Sequence, residues 1–149
     1  MTSDNKYLKD ALIGTWRLIS WVYQDAKGDT IDYFGSTPTG ILMYDSSGYM
    51  NAQLMKNERP QFQTEAMRDG TDDERINAFQ SYIAYYGKYY EQVPGEIVHV
   101  VEGSLFPNWI GSKQVRYGSM DKDKLILKTP IMVTRDGNLT FTLTWQRLK

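Results

Sequence analysis

The sequence predicts an all-β fold, an antiparallel barrel of about eight to ten short strands with one main helix. Three observations carry this expectation. Aromatic side chains are abundant, with eleven Tyr, five Phe and four Trp, and such side chains suit a pleated surface. Several segments alternate with period two, most clearly Leu139, Phe141, Leu143 and Trp145 against Thr140, Thr142, Thr144 and Gln146. Turn signals recur at short intervals: Ala26-Lys27-Gly28, Asp45-Ser46-Ser47-Gly48, Met120-Asp121-Lys122-Asp123 and Asp136-Gly137.

Residues 5–12 suggest a short leading helix with Leu8, Ala11 and Leu12 on one side. A first strand follows, with Trp16, Leu18, Ser20 and Val22 on one face and Arg17, Ile19, Trp21 and Tyr23 on the other. Thr30–Phe34 reads as a second strand, and Gly40–Tyr44 with Tyr49–Met55 as a hairpin. Residues 56–70 are polar and read as a connection or lid. The best-marked helix comes next. Thr71 and Glu74 form a capping box, and Asp72 and Asp73 complement the dipole of the first turn. Ile76, Phe79, Ile83 and Tyr86 continue at helical spacing, and Gly87 is a natural stop. Strands are then expected near 88–93, 96–106, 112–120, 123–128 and 138–147, with Pro130–Thr134 as an extra short one.

With 149 residues, 41% of them hydrophobic, the chain is expected to form one domain over 1–149, residues 1–12 being an arm or short helix. Lys plus Arg is 17 and Asp plus Glu is 18. That balance argues against nucleic acid or an anionic membrane as partner. The absence of cysteine excludes disulfides, thiolate nucleophiles and Cys-based metal sites. The N-terminus lacks the pattern of a secretory signal, and no apolar run approaches the roughly 20 residues of a membrane helix. A cytoplasmic location is the expectation, and the Asn138-Leu139-Thr140 glycosylation match reads as chance. Gly35–Gly40 lacks the ending of a phosphate-binding loop. One histidine makes a metal site improbable, and no cofactor is expected. Ser104 falls on the strand face opposite His99, so a hydrolytic triad has no support.

The segment Ile97–Tyr117 is the most informative. It reads as two strands joined by a Pro-Asn-Trp-Ile-Gly corner and holds the single histidine, His99. His99 shares a face with Ile97 and Val101, and Gln114 shares one with Arg116. Polar groups among apolar neighbours need partners.

Two sets of residues carry a resemblance. Gly14-Thr15-Trp16 opens the first strand, and Trp145-Gln146-Arg147 closes the last. This resembles the lipocalin and calycin pattern, in which an arginine of the final strand covers a tryptophan of the first. Tyr44-x-x-x-Gly48-Tyr49-Met50, the segment Tyr82–Gly87, and His99-x-x-Glu102-x-Ser104-x-x-Pro107-Asn108-Trp109-x-Gly111 followed by Gln114-x-Arg116 look like the lipocalin-like domain family, over roughly residues 11 to 148. The resemblance implies an antiparallel barrel enclosing a cavity for a small, largely apolar molecule. It implies no agreed reaction.

Each candidate has two readings. His99 is a hydrogen-bonded core histidine, or a ligand contact and general base. Arg116, with Gln114 beside it, pairs with Glu102, or offers a forked donor to a ligand oxygen. As an alternative chemistry, it stabilises an oxyanion. Trp109 anchors the corner or lines the barrel mouth. Trp16 and Arg147 form a structural plug. Tyr82, Tyr85, Tyr86, Tyr89 and Tyr90 read as a cluster at the helix end, from which Tyr82 and Tyr86 are ligand candidates. Met50 is the candidate among methionines that could line a cavity or simply fill core.

The leading functional expectation is a binder of a small apolar or amphipathic molecule. The alternative is a cofactor-independent isomerase, cyclase or lyase. A third reading uses Trp21 and Tyr23 as an exposed patch for self-association, such as a homodimer.

Overall fold

The computed structural model describes residues 6–149. Eleven strands run in chain order: β1 Gly14–Gln24, β2 Thr30–Asp32, β3 Thr39–Tyr44, β4 Tyr49–Met55, β5 Tyr82–Val93, β6 Glu96–Ser104, β7 Lys113–Asp121, β8 Lys124–Lys128, β9 Met132–Thr134, β10 Gly137–Leu139 and β11 Phe141–Leu148. Helix α1 spans Lys9–Leu12 and α2 spans Asp72–Gln80. The leading helix is therefore shorter than expected, and the expectation at Asn5 lies outside the described residues.

Eight strands form a closed antiparallel barrel in the order β1-β3-β4-β5-β6-β7-β8-β11, and β11 pairs back onto β1. Strand β2 adds to the far end of β1, while β9 and β10 form a separate hairpin. The two ends of the barrel differ. Tight turns at 45–48, 94–95 and 122–123 join strands at one end. The long connections, 25–38, 56–81, 105–112 and 129–140, all lie at the other.

The tight-turn end is plugged. Leu12 and Trp16 are fully buried there. The Trp16 indole N–H donates to Leu12 O at 2.9 Å, and the Arg147 guanidinium lies 4.3 Å from its ring centre. Arg147 also donates to Ile13 O at 3.0 Å and to Ala11 O. The Glu91 carboxylate accepts from the backbone N–H groups of Leu8, Lys9 and Gly95. It thereby ties the leading segment to the β5–β6 turn.

Further elements depart from the sequence reading. The single strand expected over 138–147 is split, with Leu139 closing the β9–β10 hairpin and Phe141 opening β11. The strict alternation expected along β1 breaks at a bulge between Leu18 and Ser20, where Ile19 has no partner on β11. An extra residue shifts the parity of all that follow. Trp16, Leu18 and Trp21 are thus all buried while Ile19 is exposed. Trp21 therefore cannot serve as an exposed patch, and Tyr23 packs against the core. The capping box forms as expected, with Thr71 Oγ1 accepting from Glu74 N at 3.1 Å and Glu74 Oε1 from Thr71 N at 2.9 Å. The helix stops at Gln80, however, with Ile76 and Phe79 exposed. The tyrosine-rich run that follows is strand β5, paired on both sides, by β4 and β6. Aromatic side chains favour that pleated setting, so the tyrosines alternate rather than cluster at a helix end.

Gly87 is consequently not a helix stop but a mid-strand residue beside the bulge at Glu102. A Cβ at Gly87 would collide with the carbonyl oxygen of Val100 and sit 2.9 Å from the Glu102 nitrogen. Gly87→Ala should cost about 2 kcal/mol or more through forced backbone movement. Chemical denaturation checks this, and an unchanged midpoint would contradict the close approach.

Candidate functional site

The barrel encloses a cavity of about 370 Å³, within the roughly 300–1,000 Å³ typical of small-molecule sites. It reaches the long-loop end. Phe79 and Gln80 from the end of α2, Phe106 and Trp109 from the β6–β7 corner, and Val133 and Arg135 from the β9–β10 hairpin rim that mouth. Phe79, Phe106 and Val133 are exposed there beside the exposed polar side chains of Gln80 and Arg135, so the entrance mixes apolar and polar surface. The connection 56–70 braces α2. Arg59 donates to Ser81 Oγ at 2.9 Å and to Ala78 O at 3.0 Å, and Glu74 accepts from Gln63 N at 2.9 Å.

Aromatic rings form much of the wall. Trp21 lies 4.5 Å from Phe34 and 5.6 Å from Phe141, centre to centre, and Tyr33 lies 4.7 Å from Phe141. Leu42, Leu54, Leu127 and Leu143 complete the apolar lining. Opposite, Tyr85 meets Trp109 edge to face at 5.3 Å.

The polar groups are few and concentrated. His99, 1% exposed, sits between two tyrosines. Its Nε2 is 2.7 Å from Tyr44 Oη and its Nδ1 is 2.8 Å from Tyr85 Oη. Burial, reinforced by the Arg116 charge, holds His99 well below its ordinary range, so the ring is neutral. Burial likewise raises both tyrosines, that of Tyr44 strongly. A neutral imidazole and two hydroxyls own three protons for two hydrogen bonds. Tyr44 is buried with no other acceptor for its proton, and it does not line the cavity. Leaving that proton unmet would cost about 1–3 kcal/mol. Tyr44 therefore donates to Nε2, Nδ1–H donates to Tyr85, and Tyr85 keeps its own proton for the cavity.

Arg116 lines the same cavity and is 7% exposed. Its guanidinium donates to Val115 O at 2.8 Å. No carboxylate pairs with it among the described residues. Glu102, the expected partner, is exposed at the bulge in β6. Two further donors, the indole N–H groups of Trp21 and Trp145, are buried without an acceptor, and both rings line the cavity.

The structure thus brings Tyr82, His99, Trp109 and Arg116 to the cavity. Gln114 does not line it. Its amide donates to Ser112 Oγ at 2.9 Å and stays in the β6–β7 corner. Met50 is buried in the core outside the cavity, and Tyr86 points outward and is 53% exposed. Trp16 and Arg147 form the plug described above, away from the site. Trp21, Tyr85 and Trp145 are cavity residues that the sequence reading did not nominate. Trp145 was legible from its alternation with Phe141 and Leu143. Trp21 was hidden by the bulge, and Tyr85 by the helical reading of its segment.

The chain matches the lipocalin-like domain family over residues 13–148, and it belongs to that family. It is similar to the 4'-hydroxy-3'-methoxypropiophenone carrier protein ppsC of Aspergillus oryzae (strain ATCC 42149 / RIB 40). The two are 34% identical over a 108-residue alignment that takes in 66% of this chain and 96% of that relative. A crystal structure of an uncharacterized protein from Bacteroides eggerthii DSM 20697 is 14% identical, with a TM-score of 0.46, and the match covers 92% of this chain and 99% of that one.

The neutral His99 has a consequence for stability. An unfolded histidine titrates near about 6.5, whereas the folded one resists protonation. Stability should be unaffected by His99 above that pH. It should fall as pH drops below it towards the depressed folded value, by up to about 1.4 kcal/mol per pH unit. Asp45, Glu74 and Asp123 are held below their ordinary range, so they enter only in stronger acid. Denaturation midpoints taken across mildly acidic pH should slope in the wild type and flatten in His99→Gln. A flat wild-type profile would contradict a buried neutral ring.

Proposed function

We propose that this lipocalin-like barrel is a carrier that holds a small, aromatic, mostly apolar molecule without transforming it. The observation that carries this reading is the aromatic-walled cavity with few polar groups in its interior, the usual make-up of a small-molecule site. The relative named as a carrier of an aromatic ketone supports that class of cargo. Trp21, Phe34 and Phe141 offer ring faces to an arene, and the Tyr85 hydroxyl offers a donor to a ketone oxygen. His99 has both ring nitrogens engaged by tyrosines, so it presents no free lone pair to a substrate. That weighs for carriage over proton-transfer catalysis.

Titration with 4'-hydroxy-3'-methoxypropiophenone, beside a panel of fatty acids, retinoids and aromatic polyketides, tests the reading. Trp21, Trp109 and Trp145 line the cavity, so binding should quench intrinsic fluorescence saturably. Ligand at 100 times its Kd should stabilise the fold by about 2.7 kcal/mol, seen as a rise in Tm. The carrier reading falls if none of these compounds gives a saturable signal or a Tm shift.

A further inference from the structure

If the barrel carries an aromatic cargo, as proposed above, the cargo must answer the polar groups that the walls present to it. We infer that the cargo carries an oxyanion, an ionised phenol or enol or a carboxylate, and that Arg116 is its counter-ion.

The charge balance of the cavity leads there. Arginine does not shed its charge on burial as lysine can, and a buried charge without a partner is costly. Arg116 is buried against the cavity, yet its partners within the protein are uncharged: it donates to Val115 O and interacts with the Tyr85 hydroxyl. The titratable groups beside it in the barrel interior include Tyr44, Tyr85 and His99. Each is neutral, so none offsets the guanidinium. Neighbouring strands supply no acid either, since Arg116 stands opposite Ile97 on β6 and its side chain shares the cavity with Leu127 and Thr129 of the β8 edge.

The remaining spare capacity has the same sign. The proton count leaves the Tyr85 O–H free, whereas the indole N–H groups of Trp21 and Trp145, which also lack acceptors, have no surface open to the cavity. The unmet polar groups are therefore donors, one of them cationic. A neutral ketone would answer one donor and leave the guanidinium uncompensated. An oxyanion accepts from the guanidinium fork and from Tyr85 together, and charge-assisted bonds of this kind are the strong ones. A hydroxyl conjugated through an arene to a ketone is acidic enough to supply such an anion, and an aryl carboxylate supplies it outright.

Matched probes separate charge from shape. The first pair is 4'-hydroxy-3'-methoxypropiophenone and its O-methyl ether. The second is naphthoate and its methyl ester. In at least one pair the acid should bind about tenfold or more tightly than its capped partner, and the pair that does so identifies the anion as phenolate or carboxylate. Where it is the phenolate, the bound hydroxy ketone should show the red-shifted absorption of the ionised form at a pH where the free compound is mostly neutral. Arg116→Gln should abolish the preference, bringing acid and capped partner to similar affinity. Arg116→Lys, which keeps a charge without the fork, should retain part of it. If Arg116→Gln fails to fold, the wild-type preference and the lysine variant decide. Equal affinity within both pairs, or a preference that survives in Arg116→Gln, overturns the inference and leaves the carrier reading standing. Failure of all four probes to bind also overturns the inference, while the carrier reading then stands or falls on the wider panel named above.

Discussion

The interior depends on β1 reaching across to β11. Their pairing runs from Thr15 opposite Leu148 to Tyr23 opposite Phe141, and it turns a curled sheet into a closed wall. Closure satisfies the backbone groups that an open edge would expose. Because the plug of Leu12, Trp16 and Arg147 fills one end, the space that remains is concentrated towards the other. The bulge at Ile19 lies within this closing seam. It sharpens the local twist, as bulges do, and carries Trp21 from the outer face to the wall of the cavity. One extra residue thus serves both the shape of the barrel and the lining of its site.

Inside that wall the polar residues divide by whether their needs are met. Tyr44 and His99 are satisfied by one another and by Tyr85. They hold the Tyr85 hydroxyl in a fixed place while presenting nothing of their own to a guest. A fully bonded buried network of this kind is rigid. Arg116 and the Tyr85 hydroxyl are the reverse case, donors at the cavity wall that meet no anion of the protein. The first group fixes the geometry of the wall, and the second faces the space it encloses.

Much of the fold was legible from the chain. The alternation of β11, the Asp45–Gly48 hairpin, the capping box at Thr71 and the Trp16–Arg147 pair are local signals, and local signals survive without coordinates. The errors arose where a tertiary feature overrides a local one. Ile76, Phe79, Ile83 and Tyr86 fit a helical period, yet the segment from Tyr82 is claimed by strands on both sides. The parity of β1 could not be followed past Ile19, because a bulge leaves no mark in a single sequence. The site was half legible for the same reason. His99 and Arg116 announced themselves as polar residues among apolar neighbours, whereas Tyr85 and Trp21 lay behind those two misreadings. Gln114 shares a face with Arg116, but the corner at Ser112 takes its amide before the cavity can.

The asymmetry of the barrel ends also bears on how the protein can be joined to others. Both the segment clamped by Glu91 and the last strand with Arg147 sit at the plugged end. A fusion partner, an affinity handle or a surface tether attached through the end of β11 would hang from the side away from the entrance. The mouth of the cavity would stay unobstructed while the barrel is leashed from behind.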